Sequence, residues 1–465
     1  MKTRLLLGGL CAALIIAHLC HANVLWTEED LPLAAARQML FGKALYRDIW
    51  FDKPPLVPLF YLAFGVKTGA VLRIAGGLYV WACCAVAFLL GRALFPESVG
   101  LWAAGLLGFF LTFDTPSAVI PLAADLLSVL PHLSAIYLAA VKRPFWSGVC
   151  AGIAFLTNVK ACLALVAAAF FVWPSILPLA AGFSIPCVIC GAVLLSTGCW
   201  TGYLDQVWRW PFLYAGSSHV VHPFLNGVER TLNWLGFHAA LVAGACLALR
   251  HKQVRRSVPV VLWIAVSFAG VMLGARFFPR YFFQILPAAV VLAAYGLATS
   301  SGWRRWGAVA LLAIPLARFG PRYAILAFHR QPEWSDVAMD ADSRAAAREI
   351  ARAAPRGSTL YVWGYRPDLF VYTGMKAASR YLDSQAMTGV PADRHLTQSV
   401  PVSTLDTAEA RRELARSQPD VIADGLSLYN PGLAMQRYDE LKPWIGKYRP
   451  FARTRTFILY RRSVG

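Results

Sequence analysis

The ionisable residues Glu28, Glu29, Asp30, Arg37, Arg47, Asp48, Asp52 and Lys53 crowd one short segment between two apolar runs. Further along, single charges interrupt apolar sequence: Asp125, Lys160 in LTNVK, and Arg276 and Arg280 in GARFFPRYFFQILP. Burying such groups is costly without a partner or a use, so these are the positions that could carry chemistry. Carboxylates and cations in one place suit a particular kind of reaction. A carboxylate accepts the proton of an attacking hydroxyl. Cations hold a phosphate and stabilise it as it departs with its negative charge. An apolar bundle beside them accommodates a lipid tail.

Each residue also has a purely structural account. Glu28 and Glu29 precede LPLAAARQML, where acids at a helix N-terminus favour the macrodipole. The same dipole weakens a carboxylate as a base unless desolvation offsets it. Arg276 and Arg280 suit anchoring to headgroup phosphates, and Lys160 suits snorkelling outward. Asp125 suits a cap after the break at Pro121, and His132 suits a hydrogen-bonded core position. Together these accounts require independent coincidences on one side of the molecule, so a shared site is the better expectation.

The elements that would position the charges follow from composition. Of 465 residues, 58% are hydrophobic and only 15% charged, with a mean hydropathy of +0.52. Soluble domains carry nearer a quarter charged residues, so most of this chain is expected in lipid. The net charge of +19 comes in short basic clusters between apolar runs, which points to membrane topology rather than nucleic acid. The ten cysteines all lie between Cys11 and Cys246, mostly inside apolar runs, and read as small buried hydrophobes. Cys187 and Cys190 have CxxC spacing but no second pair or histidine nearby, so neither zinc nor redox chemistry is expected there.

A bilayer core about 30 Å thick takes about 20 residues of helix. Eleven apolar runs approach that length: 5–17, 70–90, 99–113, 118–140, 146–156, 161–173, 176–195, 232–249, 258–273, 281–297 and 306–316. If they alternate, one side collects Lys2 and Arg4, Lys142 and Arg143, then Arg250, His251, Lys252, Arg255 and Arg256, and finally Arg304 and Arg305. The positive-inside rule makes that side cytoplasmic. The segment 25–55 and everything after about Arg318 then face outside. The N-terminal MKTRLLLGGLCAALIIAHLCHA has the form of a signal peptide. An uncleaved first span is nevertheless expected, to hold the charged segment that follows. From about Gln331 the pattern changes: STLYVWG, PDVIADG and FILYRR read as strands, SRAAAREIARAA and TAEARRELARS as amphipathic helices. The expected architecture is a mainly α, polytopic helical bundle over 1–325, with a first outer loop at 23–69. An extracytoplasmic α/β domain over 326–465 would complete it.

WTEEDLPLAAARQMLFGKALYRDIWFDKPPL resembles the first outer loop of the GT-C membrane glycosyltransferases. The likeness is to the branch of protein O-mannosyltransferases, lipid A aminoarabinose transferases and Rgt-type lipopolysaccharide glycosyltransferases. The shared elements are Glu28-Glu29, the Ala-rich stretch from Ala34 to Leu40, Gly42, Tyr46-Arg47-Asp48 and Lys53-Pro54-Pro55. AADLLSVLPHLSAIYLA, AGIAFLTNVKACLAL and RFFPRYFFQILPAAVVLAAYGL resemble later parts of the same proteins, as does VWGYRPDLFVYTGMKAASRY from the C-terminal region.

The resemblance implies a GT-C bundle of about eleven transmembrane helices in the cytoplasmic (inner) membrane, N-terminus inside and C-terminal domain outside. It implies inverting transfer of a sugar from a polyprenyl-phosphate donor to a hydroxyl on a glycan, lipid or protein. Glu28 aligns with the catalytic base, although the family usually has Asp there, so Glu29 and Asp30 stand as alternatives. Lys53 aligns with a donor-phosphate ligand, and Lys160, Arg276 and Arg280 are further candidates for that role. Tyr46, Arg47, Asp48, Asp52 and Asp125 would support the site. No cofactor is required by the pattern, though the acidic loop leaves room for a divalent metal. A flippase of lipid-linked sugars and a non-catalytic assembly protein are the rival readings. The flippase predicts repeated halves with matching broken helices, and no repeat is found.

Overall fold

The computed structural model describes residues 2–216, 222–251, 257–328 and 334–463. Lys252, Arg255 and Arg256 of the third basic cluster lie outside these residues, as does Gln331, where the composition changes.

The chain is mainly helical. Among the described residues four helices are long and apolar enough to cross a bilayer: Lys2–Leu19, Ala70–Leu94, Ile176–Ser196 and Gly302–Ala327. A fifth candidate is the pair Pro223–Phe237 and Ala239–Leu249, bent by 84° at its junction. Six other apolar helices run only 10–17 residues, so of the eleven expected spans four to five have full length. Breaks in the chain account for the shortening. The run 118–140 is interrupted between Pro116–Val119 and Ala124–Leu127, and tight 3₁₀ turns occupy Val159–Ala161 and Pro279–Gln284. Asp125, Lys160 and Arg280 sit at these three breaks, where helix ends already leave polar backbone groups.

Outward-facing Leu177, Val188, Ile189 and Leu195 on the Ile176–Ser196 helix are exposed in the protein and require an apolar surrounding. Inward, small residues let helices close. A Cβ on Gly182 would come within 1.9 Å of the Phe145 carbonyl, which fixes glycine where that helix crosses Pro144–Phe155.

A five-stranded sheet forms from β1 (Thr359–Trp363), β2 (Lys376–Ala377), β3 (Val421–Asp424), β4 (Tyr448–Arg453) and β5 (Ile458–Arg462). Its order is β2-β1-β3-β5-β4. β1 pairs parallel with β2 and β3, while β5 runs antiparallel to β3 and β4. β1 and β3 are buried along nearly their whole length, as their near-continuous apolar sequences require. The helices Ser335–Ala353 and Thr407–Arg416 lie where amphipathic patterns were expected.

The 23–55 segment is stitched to this sheet region along its length. The Leu25 amide donates to Asp340 Oδ1 at 3.2 Å, and the Thr27 hydroxyl to Asp336 Oδ1 at 2.9 Å. Buried Gln38 acts as an extra backbone unit beside β2, donating to the Met375 carbonyl at 3.0 Å and accepting from the Ala377 amide at 2.8 Å. The Trp50 amide donates to the Arg380 carbonyl at 2.8 Å.

Candidate active site

The Thr27–Met39 helix opens with Glu28, Glu29 and Asp30 in its first turn. Successive residues on a helix point about 100° apart, and here the three acids meet three different surroundings.

Glu29 turns inward. Its carboxylate takes both guanidinium nitrogens of Arg73, at 2.8 and 2.6 Å, with 0% and 1% side-chain exposure for the pair. Arg73 also donates to the Val24 carbonyl at 3.0 Å, so the pair joins the Ala70–Leu94 helix to the loop. Asp30 turns towards the sheet region. It is buried, and burial together with the nearby Asp368 carboxylate raises its pKa well above the carboxylate range, opposed by Arg366. Neither Glu29 nor Asp30 faces the cations that were expected to bind a phosphate.

Glu28 does. It pairs with Arg280, whose Nε also lies 3.4 Å from Asp125 Oδ2. Glu28 and Arg280 side chains are 30% and 29% exposed, and Asp125 14%. Asp125 is fixed from its other oxygen by the Asn158 amide at 2.8 Å. Lys160 stands in the same turn as Asn158, its ammonium 3.3 Å from the Tyr281 ring centroid, a cation–π contact. Arg276 is drawn aside to Asp393, at 3.2 Å.

Lys53 completes the cluster. It pairs with Asp52 at 3.0 Å. Burial would lower its pKa, but the fields of Asp52 and Glu28 outweigh that and move it upward, so the ammonium is charged at neutral pH. Tyr46 holds the loop in shape rather than facing the charges. It is buried in a left-handed conformation, φ +71°, and its hydroxyl donates to the Lys53 carbonyl at 2.8 Å. Such a backbone costs about 1–3 kcal/mol unless its surroundings enforce it. Gln206 does so: it donates to the Tyr46 carbonyl and accepts from the Phe51 amide, both at 2.8 Å. Gly202 permits this approach, since a Cβ there would sit 2.4 Å from the Tyr46 oxygen. Arg47 and Asp48 form an exposed pair at 3.0 Å, with Arg47 also bonded to the Thr197 carbonyl at 3.1 Å. They stay apart from the Glu28–Arg280 contacts.

Several residues here escaped the sequence reading. Arg73, Asn158 and Gln206 are single polar residues without a local pattern, and only tertiary contact reveals them. Asp383 is another. It is buried in the loop beyond β2, its Oδ1 accepting the Gln385 amide at 2.9 Å. Burial pushes its pKa up to about 7, with Asp52 adding to the rise and Lys53 opposing it. Among the described residues it has no cation at ion-pair distance.

Among the described residues no three His, Cys, Asp or Glu side chains converge as metal ligands. The loop carboxylates are engaged by cations instead, Glu29 by Arg73, Asp52 by Lys53, and Glu28 with Asp125 by Arg280. That donor set does not fit a divalent ion in place.

No protein-family model and no curated protein matches the sequence. Solved structures do resemble the fold. ArnT from Cupriavidus metallidurans bound to undecaprenyl phosphate superposes with a TM-score of 0.58 at 16% identity, over 99% of this chain and 98% of that one. Its apo state gives 0.58 at 15% identity, over 97% and 96%. The oligosaccharyltransferase AglB from Archaeoglobus fulgidus, in complex with an inhibitory peptide and a dolichol-phosphate, gives 0.49 at 13% identity, over 97% of this chain and 74% of that one. Over nearly its whole length the fold of this chain is thus similar to that of ArnT, a GT-C structure.

Proposed function

We propose that this chain is a membrane glycosyltransferase that moves a sugar, with inversion, from a polyprenyl-phosphate donor to a hydroxyl acceptor. The observation that carries the proposal is the partly exposed cluster in which Glu28 and Lys53 of the 23–55 segment meet Asp125, Lys160 and Arg280 at the breaks in apolar helices. Undecaprenyl phosphate is bound by the ArnT structure whose fold this chain shares. Here its counterpart would lay its tail along the bundle and its phosphate among Lys53, Arg280 and Lys160, with Arg276 nearby. The acceptor oxygen attacks the anomeric carbon from the face opposite the phosphate. The new C–O bond forms as the old one breaks, its electron pair leaving on the phosphate oxygen. The hydroxyl proton goes to a Glu28 oxygen. Lys53 and Arg280 offset the charge that grows on the leaving phosphate.

In this reading the outer side of the cytoplasmic membrane holds the site, the N-terminus lies inside, and about eleven helical segments make up the bundle over 1–325. Residues 326–465 form an outer α/β unit that helps choose the acceptor. Glu28 is preferred as base because Glu29 is committed on both oxygens to Arg73 and Asp30 faces the sheet region.

The test uses wild type and Glu28→Gln in lipid nanodiscs with radiolabelled polyprenyl-phosphate sugars and cell-envelope acceptors. Release of polyprenyl phosphate by wild type alone, with donor still bound by the variant, is the expected result. Equal release by both would remove Glu28 from the base role. Movement of intact donor across the bilayer without its consumption would favour a flippase. Binding without either would favour an assembly protein.

A further inference from the structure

Arg280 makes two contacts of unequal kind. Through Nη1 it holds Glu28, which is 30% exposed, and through Nε it reaches Asp125 at 3.4 Å. Asp125 is fixed by Asn158, whereas no further hydrogen bond to the Glu28 side chain is found among the described residues. The guanidinium itself lies over the Phe278 ring, 5.5 Å from its centroid, and is 29% exposed. It is therefore a planar fork held at one edge by a fixed carboxylate and at another by a loosely held one, with a route to the surface.

Charge balance sharpens the point. The carboxylates Glu28, Asp52 and Asp125 face the cations Lys53, Lys160 and Arg280, three against three. A phosphate entering this set brings negative charge that the net balance does not offset: among the described residues Lys160 alone of the three cations has no carboxylate at ion-pair distance, Arg280 is shared by Glu28 and Asp125, and Arg276 is engaged by Asp393. Two oxygens of a phosphate match the guanidinium fork better than one carboxylate oxygen does. We propose that Arg280 is an exchangeable clamp, which a lipid phosphate draws away from Glu28, freeing that carboxylate to take a proton only when the phosphate is bound. The inference rests on the transferase reading above for the identity of the ligand. It goes further in making Glu28 and the phosphate competitors for one cation. The proton that Glu28 receives from the acceptor offsets the charge that appears on the leaving phosphate, so the net charge of the site stays constant during transfer, and the clamp frees the carboxylate at the step that needs it.

Competition has a consequence that a merely structural ion pair lacks: removing the competitor tightens ligand binding. The probe is undecaprenyl phosphate, titrated into phosphatidylcholine nanodiscs containing wild type, Glu28→Gln, Asp125→Asn, Arg280→Gln and the Glu28→Gln/Arg280→Gln double variant. A partly exposed carboxylate pair holding back the cation would lower apparent affinity by roughly threefold to tenfold. Glu28→Gln and Asp125→Asn are thus each expected to bind the probe more tightly by about that factor. The gain from Glu28→Gln is expected to vanish when Arg280 is already glutamine. If the gain persists there, simple repulsion between Glu28 and the phosphate explains it and the clamp is overturned. Unchanged or weaker binding in Glu28→Gln also overturns it.

A second readout covers the case in which Arg280→Gln fails to fold. An infrared difference spectrum on adding undecaprenyl phosphate to wild type is expected to show a carboxylate stretch that moves and that is missing in Glu28→Gln. A spectrum with no such band means Glu28 keeps its partner and the clamp does not operate. Failure of wild type to bind undecaprenyl phosphate above the phosphatidylcholine background is a different result. It would sink the transferase reading itself.

Discussion

Glu28 and Glu29 are neighbours in sequence, and each meets an arginine from a distant part of the chain. Glu29 and Arg73 are dry, joined by two bonds, and backed by further contacts to the Val24 carbonyl and the Leu122 amide. Glu28 and Arg280 are nearly one-third exposed, and the arginine is shared with Asp125. Identical side-chain types one residue apart thus meet different surroundings. A pair with both charges withdrawn from water must stay paired, because separating it leaves an uncompensated buried charge. A pair at the surface gains little by staying together and is free to trade partners. Burial, rather than residue type, separates scaffold from site.

The largest effect that would test this contrast is on folding. Glu29→Gln leaves the Arg73 guanidinium buried without its carboxylate, at a cost of about 3–5 kcal/mol. Thermal unfolding in lipid is expected to show a strongly destabilised protein or none at all. Folded, active Glu29→Gln would erase the distinction between the two pairs. Glu28→Gln is expected to do the reverse, losing turnover by about 10²–10⁴-fold while stability changes by less than about 1 kcal/mol. Parallel measurement of unfolding and donor consumption separates these outcomes, and a variant that lost both would break the comparison from the other side.

Lys53→Gln comes next in size. Its ammonium is held charged by Asp52 and Glu28 and is 41% exposed at the site. Losing a charge-assisted contact to phosphate costs about 1.5–3 kcal/mol, or roughly 10–100-fold in donor affinity. Titration with undecaprenyl phosphate is the check, and unchanged affinity would remove Lys53 from the donor site.

How much of this was legible in the sequence differs by element. The apolar runs appear as helices because hydropathy is a local property, and the strands at STLYVWG, PDVIADG and FILYRR appear as β1, β3 and β5. β2 was missed because Lys376 and Ala377 are too few to show a period, and β4 because YRPFAR carries a proline and two arginines. The runs 118–140 and 281–297 were read through breaks, since a window of hydropathy does not register the interruption after Pro116–Val119 or the turn at Pro279–Gln284, while 5–17 and 306–316 fell short of the helices found there. At the site, clustering of charge brought Glu28, Lys53, Asp125, Lys160 and Arg280 to attention together. Which of Glu28, Glu29 and Asp30 faced the cations was beyond it. That depends on helix rotation, fixed by Arg73 from another helix and by the Asp340, Arg366 and Asp368 group from the C-terminal region.

Asp383 supplies the smallest effect and the closest test of the contrast, because it combines features of both pairs. It is buried like Glu29, yet among the described residues no cation pairs with it. With a folded pKa near 7, it keeps its proton where the same residue in an unfolded chain, at the ordinary value of 3.8, has lost it. The folded protein then binds the extra proton between about pH 4 and 7. Its stabilising contribution is therefore complete below pH 4 and lost as pH rises through 7. Asp383→Asn keeps an oxygen for the Gln385 amide but has no proton to lose. Wild type and variant are expected to unfold at similar temperatures near pH 4, with the variant gaining a few degrees by pH 8. Melting curves at those two pH values in the same lipid decide it. A constant difference would mean that Asp383 is ionised throughout, held by a charge that reaches it from Lys53. Burial without a neighbouring partner would then no longer mark a third kind of carboxylate in this loop.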